Sequence, residues 1–282
     1  INENGLDIKN YQKLYEHTIP QVCVDRLNTL GNSFQNQPLN TGNSFAANVD
    51  YYGVEITRNP DFNLDGSPDT DAEVFLAYKS KFTDLASGSE KDFQFSCNLP
   101  FDLDNKADVS WTFSPYSQQD INIWNSTDPL SAIIKISAWG DVIFSDLVSD
   151  DGAIMISEYT SNYWIGSTVE TFLTGTQPFS GNRQWGYITN LKGNLELYAR
   201  AVDIARVSTI SLYGPGTDEC KEDTYFNIGE ATWSNLQKEI KDWVNAFNGE
   251  AKIIEKTAKR FDKNKLKQIL ESNESINKIK CD

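Results

Sequence analysis

The chain has 282 residues, 39% hydrophobic and 23% charged, enough apolar material for a sizeable core and too much for wholesale disorder. Its net charge is −15, split as +3 from Trp233 to Asp282 and −18 over the rest, and so acidic a body repels phosphate backbones and argues against a nucleic-acid partner. No apolar run approaches the roughly 18 residues that a bilayer-crossing helix needs, which excludes a transmembrane segment of that kind.

The chain opens at Ile1, not Met, into the polar stretch 2–7, as a chain trimmed of a signal peptide would. Two sequons, Asn125-Ser126-Thr127 and Asn273-Glu274-Ser275, agree with an exported glycoprotein. The four cysteines, Cys23, Cys97, Cys220 and Cys281, contain no C-x-x-C pair, so zinc and redox signatures are absent. Their even count predicts two disulfides in an oxidising compartment, with Cys23–Cys97 and Cys220–Cys281 favoured among three connectivities. A secreted, extracellular protein is the expectation.

Leu6, Tyr11, Leu14 and Tyr15 suit a short helix within 6–18, stopped by Pro20. Residues 31–48, rich in Asn, Gln, Ser, Gly and Pro, read as a long loop that conceals a strand around 44–49. Short β-branched or aromatic runs predict strands at 51–57, 72–82, 92–99, 107–113, 133–138, 142–148 and 153–159, parted by turns such as Gly140-Asp141 and Asp151-Gly152. A hairpin joins 184–189 to 194–202 through Asn190-Leu191-Lys192-Gly193, with Gly193 supplying the positive φ of a short loop. A further strand covers 206–213. The period then changes. Trp233, Leu236, Ile240, Trp243, Val244 and Phe247 form one helical stripe, with Thr232 as N-cap and Gly249 as stop. A second helix over 263–272 carries Leu266, Ile269 and Leu270. The predicted fold class is α+β: a β-rich antiparallel sheet assembly over 1–225 that includes an N-terminal helical segment, with an amphipathic helix and a short second helix over 226–282 packed on the same domain.

Several catalytic signatures are missing: G-x-S-x-G, H-E-x-x-H, the phosphate-binding G-x-x-x-x-G-K, and G-x-G-x-x-G after a strand. The single histidine, His17, beside Glu16 on a polar helix face, reads as a solvated surface residue, so histidine-dependent catalysis is not expected. The sharpest motif runs from Asp61 to Asp71. Asp61, Asn63 and Asp65 place oxygens at positions one, three and five, Gly66 permits a sharp turn at six, Ser67 offers its carbonyl at seven, and Asp69 stands at nine. This segment resembles the first part of the calcium loops of EF-hands, dockerins and thrombospondin type 3 repeats. Ala72 occupies position twelve, so Asp71 or Glu73 would have to replace the missing bidentate ligand, and the flanks read as strands. The resemblance implies calcium held by Asp61, Asn63, Asp65, Ser67, Asp69, Asp71 and Glu73. Looser acidic groups, Asp102, Asp104, Asn105 and Asp108, then Asp146, Asp150 and Asp151, read as solvated turns.

Flat aromatic faces beside amides grip sugar rings, which makes Trp124 and Trp164 candidate glycan platforms. Arg183, in a turn of small and amide residues, and Arg200, on an alternating strand, either pair with a carboxylate such as Asp203 or hold an anion in a pocket. The leading expectation is a calcium-stabilised extracellular recognition protein that meets a glycan or another protein. The alternatives are a carboxylate-based, glycosidase-like hydrolase and a curved sheet wrapped on a helix that encloses a hydrophobic ligand. Paired carboxylates in one cleft would favour the hydrolase, and an enclosed apolar cavity the carrier.

Overall fold

The computed structural model describes residues 7–96, 105–142, 145–149, 151–206 and 218–271. Among them the chain begins with α1 (Ile8–Glu16), α2 (Gln21–Leu30), β1 (Gln35–Asn36), a 3-10 turn (Leu39–Thr41), β2 (Ala46–Arg58) and α3 (Asp71–Ala86). It continues through β3 (Gly88–Gln94), β4 (Lys106–Pro115), α4 (Gln118–Trp124), β5 (Ile133–Val142), β6 (Ser145–Ser149), β7 (Gly152–Tyr159) and β8 (Tyr163–Glu170). The last elements are β9 (Phe179–Thr189), β10 (Leu195–Ala205), α5 (Asp218–Ala246), β11 (Glu250–Ile253), β12 (Thr257–Asp262) and α6 (Lys263–Glu271).

The strands form a large antiparallel sheet in the order β11-β2-β10-β9-β8-β7-β5-β4-β3. β12 continues the β11 edge along β2, while β6 joins β5 and β1 joins β8. This is the α+β, β-rich architecture expected of the sequence.

Period-two alternation sends successive side chains to opposite faces. One face carries Tyr52, Val54 and Ile56 of β2, Leu195 and Leu197 of β10, Trp111 and Phe113 of β4 and Trp185 of β9, all packed with α3 and α5. The other face carries Val49, Val202 and Ile204 under Tyr11 and Leu14 of α1 and Leu266 and Leu270 of α6. Ile133, Met155 and Val169 complete it under Cys23 and Leu27 of α2. Covered on both sides, the central strands are buried almost throughout, as the run of buried residues from Ala47 to Ile56 shows.

The structure revises several expectations. Residues 72–82 are not a strand but most of α3. Thr70 Oγ1 accepts from Glu73 N at 3.3 Å while Glu73 Oε2 accepts from Thr70 N at 2.8 Å, a reciprocal cap that starts a helix. Val74, Phe75, Tyr78, Phe82 and Leu85 then fall at spacings of one to four on its buried side. Pro20, read as a stop, directly precedes α2, and β8 occupies a segment for which no element was expected. Thr232 is not an N-cap: α5 starts at Asp218, runs across position 225/226, and holds Thr232 Oγ1 against Ile228 O at 2.9 Å. The β9–β10 hairpin has the expected loop, with Gly193 at φ 80°. The strand expected over 206–213 lies beyond Arg206, outside the described residues. Cys23 is a free, buried thiol, which overturns the Cys23–Cys97 bridge. Cys220 is disulfide-bonded, as expected; Cys97 and Cys281, and with them the identity of its partner, lie outside the described residues.

Of the α5 stripe, Trp233, Leu236, Ile240 and Val244 are buried, and Trp243 is half-buried with its ring stacked 3.8 Å from Phe62. Gln237 Nε2 ties the helix to the sheet edge by donating to Gly53 O at 2.7 Å and Ile254 O at 3.0 Å.

Candidate functional site

Between the sheet and the N-terminal half of α5 lies a cavity of about 450 Å³. Trp111 and Phe113 of β4, Ile136 of β5, Ile154 of β7 and Trp185 of β9 form much of its floor. Tyr225, Phe226, Ile228, Gly229 and Trp233 of α5 form its roof, and the lining is predominantly apolar. Glycines stand in both walls. On β8 a Cβ at Gly166 would come 2.9 Å from Ile154 Cδ1 and 3.0 Å from Trp185 Cζ3, closer than van der Waals packing allows. On the roof, a Cβ at Gly229 would meet only Phe179 Cζ, at 3.8 Å.

One part of the wall is polar. Arg183 of β9 reaches Asp50 of β2 through two bonds, Nη1 to Oδ1 at 2.8 Å and Nη2 to Oδ2 at 2.6 Å, and Nη2 also meets Asp203 Oδ2 of β10 at 3.2 Å. Asn48 Nδ2 adds a bond to Asp50 Oδ2 at 2.8 Å, and the guanidinium lies 4.2 Å over the Trp233 ring. Asp50, Asn48, Arg183 and Asp203 all line the cavity. Asp203 Oδ1 is buried and has no hydrogen-bond partner. Burial pushes the Asp203 carboxyl up to about 7, with Arg183 pulling it down and Asp50 pushing it further up. At the roof, Glu230 pairs with Lys256 at 2.5 Å, and Arg260 with Asp223 at 2.6 Å.

Arg183 is thus both things the sequence allowed, a residue paired with carboxylates and a residue of a pocket wall. Arg200 does not join it. Alternation places Arg200 on the opposite face, where Nε donates to Gln184 Oε1 at 2.7 Å. Trp124 and Trp164 are not glycan platforms, since only 2% and 0% of their surfaces are exposed. Trp164 packs among Phe75, Tyr78 and Trp185 with ring centres 5.3–6.0 Å apart. Trp124 ends α4, where Lys79 Nζ donates to its carbonyl and lies 4.9 Å over its ring.

The loop after β2 spends its oxygens on its own backbone. Asp61 accepts from Asp65 N at 3.1 Å and from Gly66 N at 2.9 Å, Asn63 Oδ1 from Asp65 N at 2.9 Å, and Asp65 Oδ1 from Ser67 N at 2.8 Å. Asp69 accepts from Phe62 N at 2.9 Å and Asn63 Nδ2 at 3.0 Å, and Asp71 Oδ1 from Asn59 Nδ2 at 2.9 Å. Glu73 is occupied by the cap of α3. Short polar side chains that close turns onto nearby N–H groups account for the alternate spacing. Among the described residues no three acidic, histidine or cysteine side chains converge as a metal site. The flank after the loop is a helix, not a strand. Together with the buried tryptophans and the apolar cavity, this overturns the reading of the chain as a calcium-stabilised recognition protein. Of the looser acidic groups, Asp102, Asp104 and Asp150 lie outside the described residues, Asp108 accepts from Asp92 N at 3.0 Å, and Asp151 pairs with Lys135 at 3.0 Å.

His17 is not a solvated surface residue either. Its Nε2 lies 2.8 Å from Ser157 Oγ and its Nδ1 3.6 Å from Glu158 Oε2. Ser157 is itself buried and bonded to Ser167 Oγ at 2.8 Å, and Ser167 donates to Asn182 Oδ1 at 2.6 Å. Asn182 Nδ2 returns to Leu14 O at 2.8 Å and His17 O at 3.2 Å. This chain of bonds docks the end of α1 on the sheet. Burial lowers the His17 pKa, against the opposing pull of Glu158.

No family model matches this chain, and no curated protein does. Among solved structures, the di-domain aromatase/cyclase StfQ from the steffimycin biosynthetic pathway is similar over 71% of this chain, at 10% identity and a TM-score of 0.37. The match takes in 52% of that protein, so this chain corresponds to about half of its length.

Proposed function

We propose that the protein binds a largely apolar small molecule in the cavity beneath α5. The observation that carries this reading is the cavity itself, whose volume of about 450 Å³ falls within the roughly 300–1,000 Å³ typical of small-molecule sites. An apolar space of this size, with a few convergent polar groups on one wall, is the general form of such a site. It also corresponds to the sequence-based alternative of a sheet wrapped on a helix around a hydrophobic ligand.

A neutral fluorescent probe, N-phenyl-1-naphthylamine, tests the proposal. Its emission should rise on addition of protein and be excited by energy transfer from Trp185 and Trp233. Gly229→Leu fills the roof of the cavity and should weaken binding at least tenfold, while Gly229→Ala leaves room and should not. Unchanged affinity in Gly229→Leu, or no binding to the wild type, would overturn the reading.

A further inference from the structure

The polar wall narrows the class of ligand, on the premise that the cavity is a binding site. Arg183 cannot serve as an open anion receptor, because Nη1 and Nη2 are taken by Asp50 and Asp203 at 2.6–3.2 Å. Two carboxylates face one guanidinium, so the cluster is neutral or negative and a carboxylate or phosphate brought beside it meets like charge. A buried ammonium fares little better. It would leave its hydration shell for an otherwise apolar space, and the carboxylates there are already committed to Arg183. With Asp203 ionised, above about pH 7, the wall offers a buried acceptor without a donor, Asp203 Oδ1. Leaving such a group unpaired is costly, and a neutral O–H donor satisfies it without bringing a charge. The same cavity presents broad aromatic faces, among them Tyr52, Trp111, Phe179 and Trp233, which suit a flat ring system.

We infer that the ligand is an uncharged, flat, mainly apolar ring compound carrying a hydroxyl group, and that this hydroxyl donates to Asp203 Oδ1.

A naphthalene series tests this by calorimetric titration of the intact chain at about pH 8, where Asp203, raised to about 7, is ionised. 2-Naphthol keeps the donor, 2-methoxynaphthalene removes it, 2-naphthoate replaces it with an anion, and 2-(aminomethyl)naphthalene with a cation. 2-Naphthol should bind at least tenfold more tightly than each of the other three. Asp203→Ala should bring 2-naphthol to the level of 2-methoxynaphthalene, and the wild-type ranking remains decisive if that variant does not fold. Equal binding of 2-naphthol and 2-methoxynaphthalene, or a preference for either charged compound, overturns the hydroxyl inference while leaving the apolar site standing. Failure of all four compounds to bind overturns the underlying proposal of an apolar site as well.

Discussion

Arg183 and Asp50 meet at two points, 2.8 and 2.6 Å, although β10 separates their strands in the sheet. Asp50 is 2% exposed and Arg183 10%, so removing one partner strands a charge away from water. Asp50→Ala should therefore cost about 3–5 kcal/mol, the range for breaking a buried pair. Denaturant unfolding would measure it, and a loss below about 1 kcal/mol would mean that the pair is effectively solvated.

Asp203 gives stability an unusual pH dependence. Its carboxyl is raised from 3.8 to about 7, so the fold favours the protonated form. Its contribution is complete below pH 3.8 and is lost as pH rises through about 7. His17 works the other way: its pKa is lowered from 6.5, so its contribution is complete above that value and drains as pH falls below it. Asp203→Asn imitates the protonated acid. Its melting temperature relative to wild type should rise between about pH 5 and pH 8. A difference independent of pH would show that Asp203 titrates normally.

Gly229 sits inside α5, where glycine costs backbone entropy and a Cβ meets only ordinary contact with Phe179. Gly229→Ala should stabilise the protein by about 0.5–1 kcal/mol. Chemical denaturation would read the gain, and a destabilised variant would mean that the space beneath the helix is already filled.

Much of this architecture was legible in the sequence, and the failures share a physical cause. The β9–β10 hairpin, β4, β5 and β7 announced themselves because short β-branched runs ended in turn residues. Residues 72–82 misled because Val74, Phe75, Tyr78 and Phe82 are as common in strands as in buried helices, and only the Thr70–Glu73 cap marks the difference. Asp203 was legible as a carboxylate partner, but Asp50 was hard to single out, because its importance depends on a register that brings β2, β10 and β9 side by side. A carboxylate inside an apolar run, as in Val49-Asp50-Tyr51, was the available signal. The cavity left no local trace, since Gly152, Gly166 and Gly229 come together only in three dimensions.

The loop of residues 61–71 makes a separate claim. Asp61 accepts from two backbone N–H groups, so Asp61→Ala should cost about 1–3 kcal/mol, and should do so in the presence of a chelator. Unfolding curves in chelator would check this; a neutral substitution there would mean that these bonds do not hold the loop.

A ligand that enters beneath α5 can be located through the tryptophan indole N–H signals. Trp111, Trp139, Trp185 and Trp233 line the cavity, whereas Trp124 and Trp243 do not. In a nitrogen-labelled sample titrated with 2-naphthol, the indole signals of Trp185 and Trp233 should shift saturably, with those of Trp124 and Trp243 unmoved. Shifts confined to Trp243 or Trp124, or no saturable shift at Trp185 and Trp233, would contradict binding beneath α5.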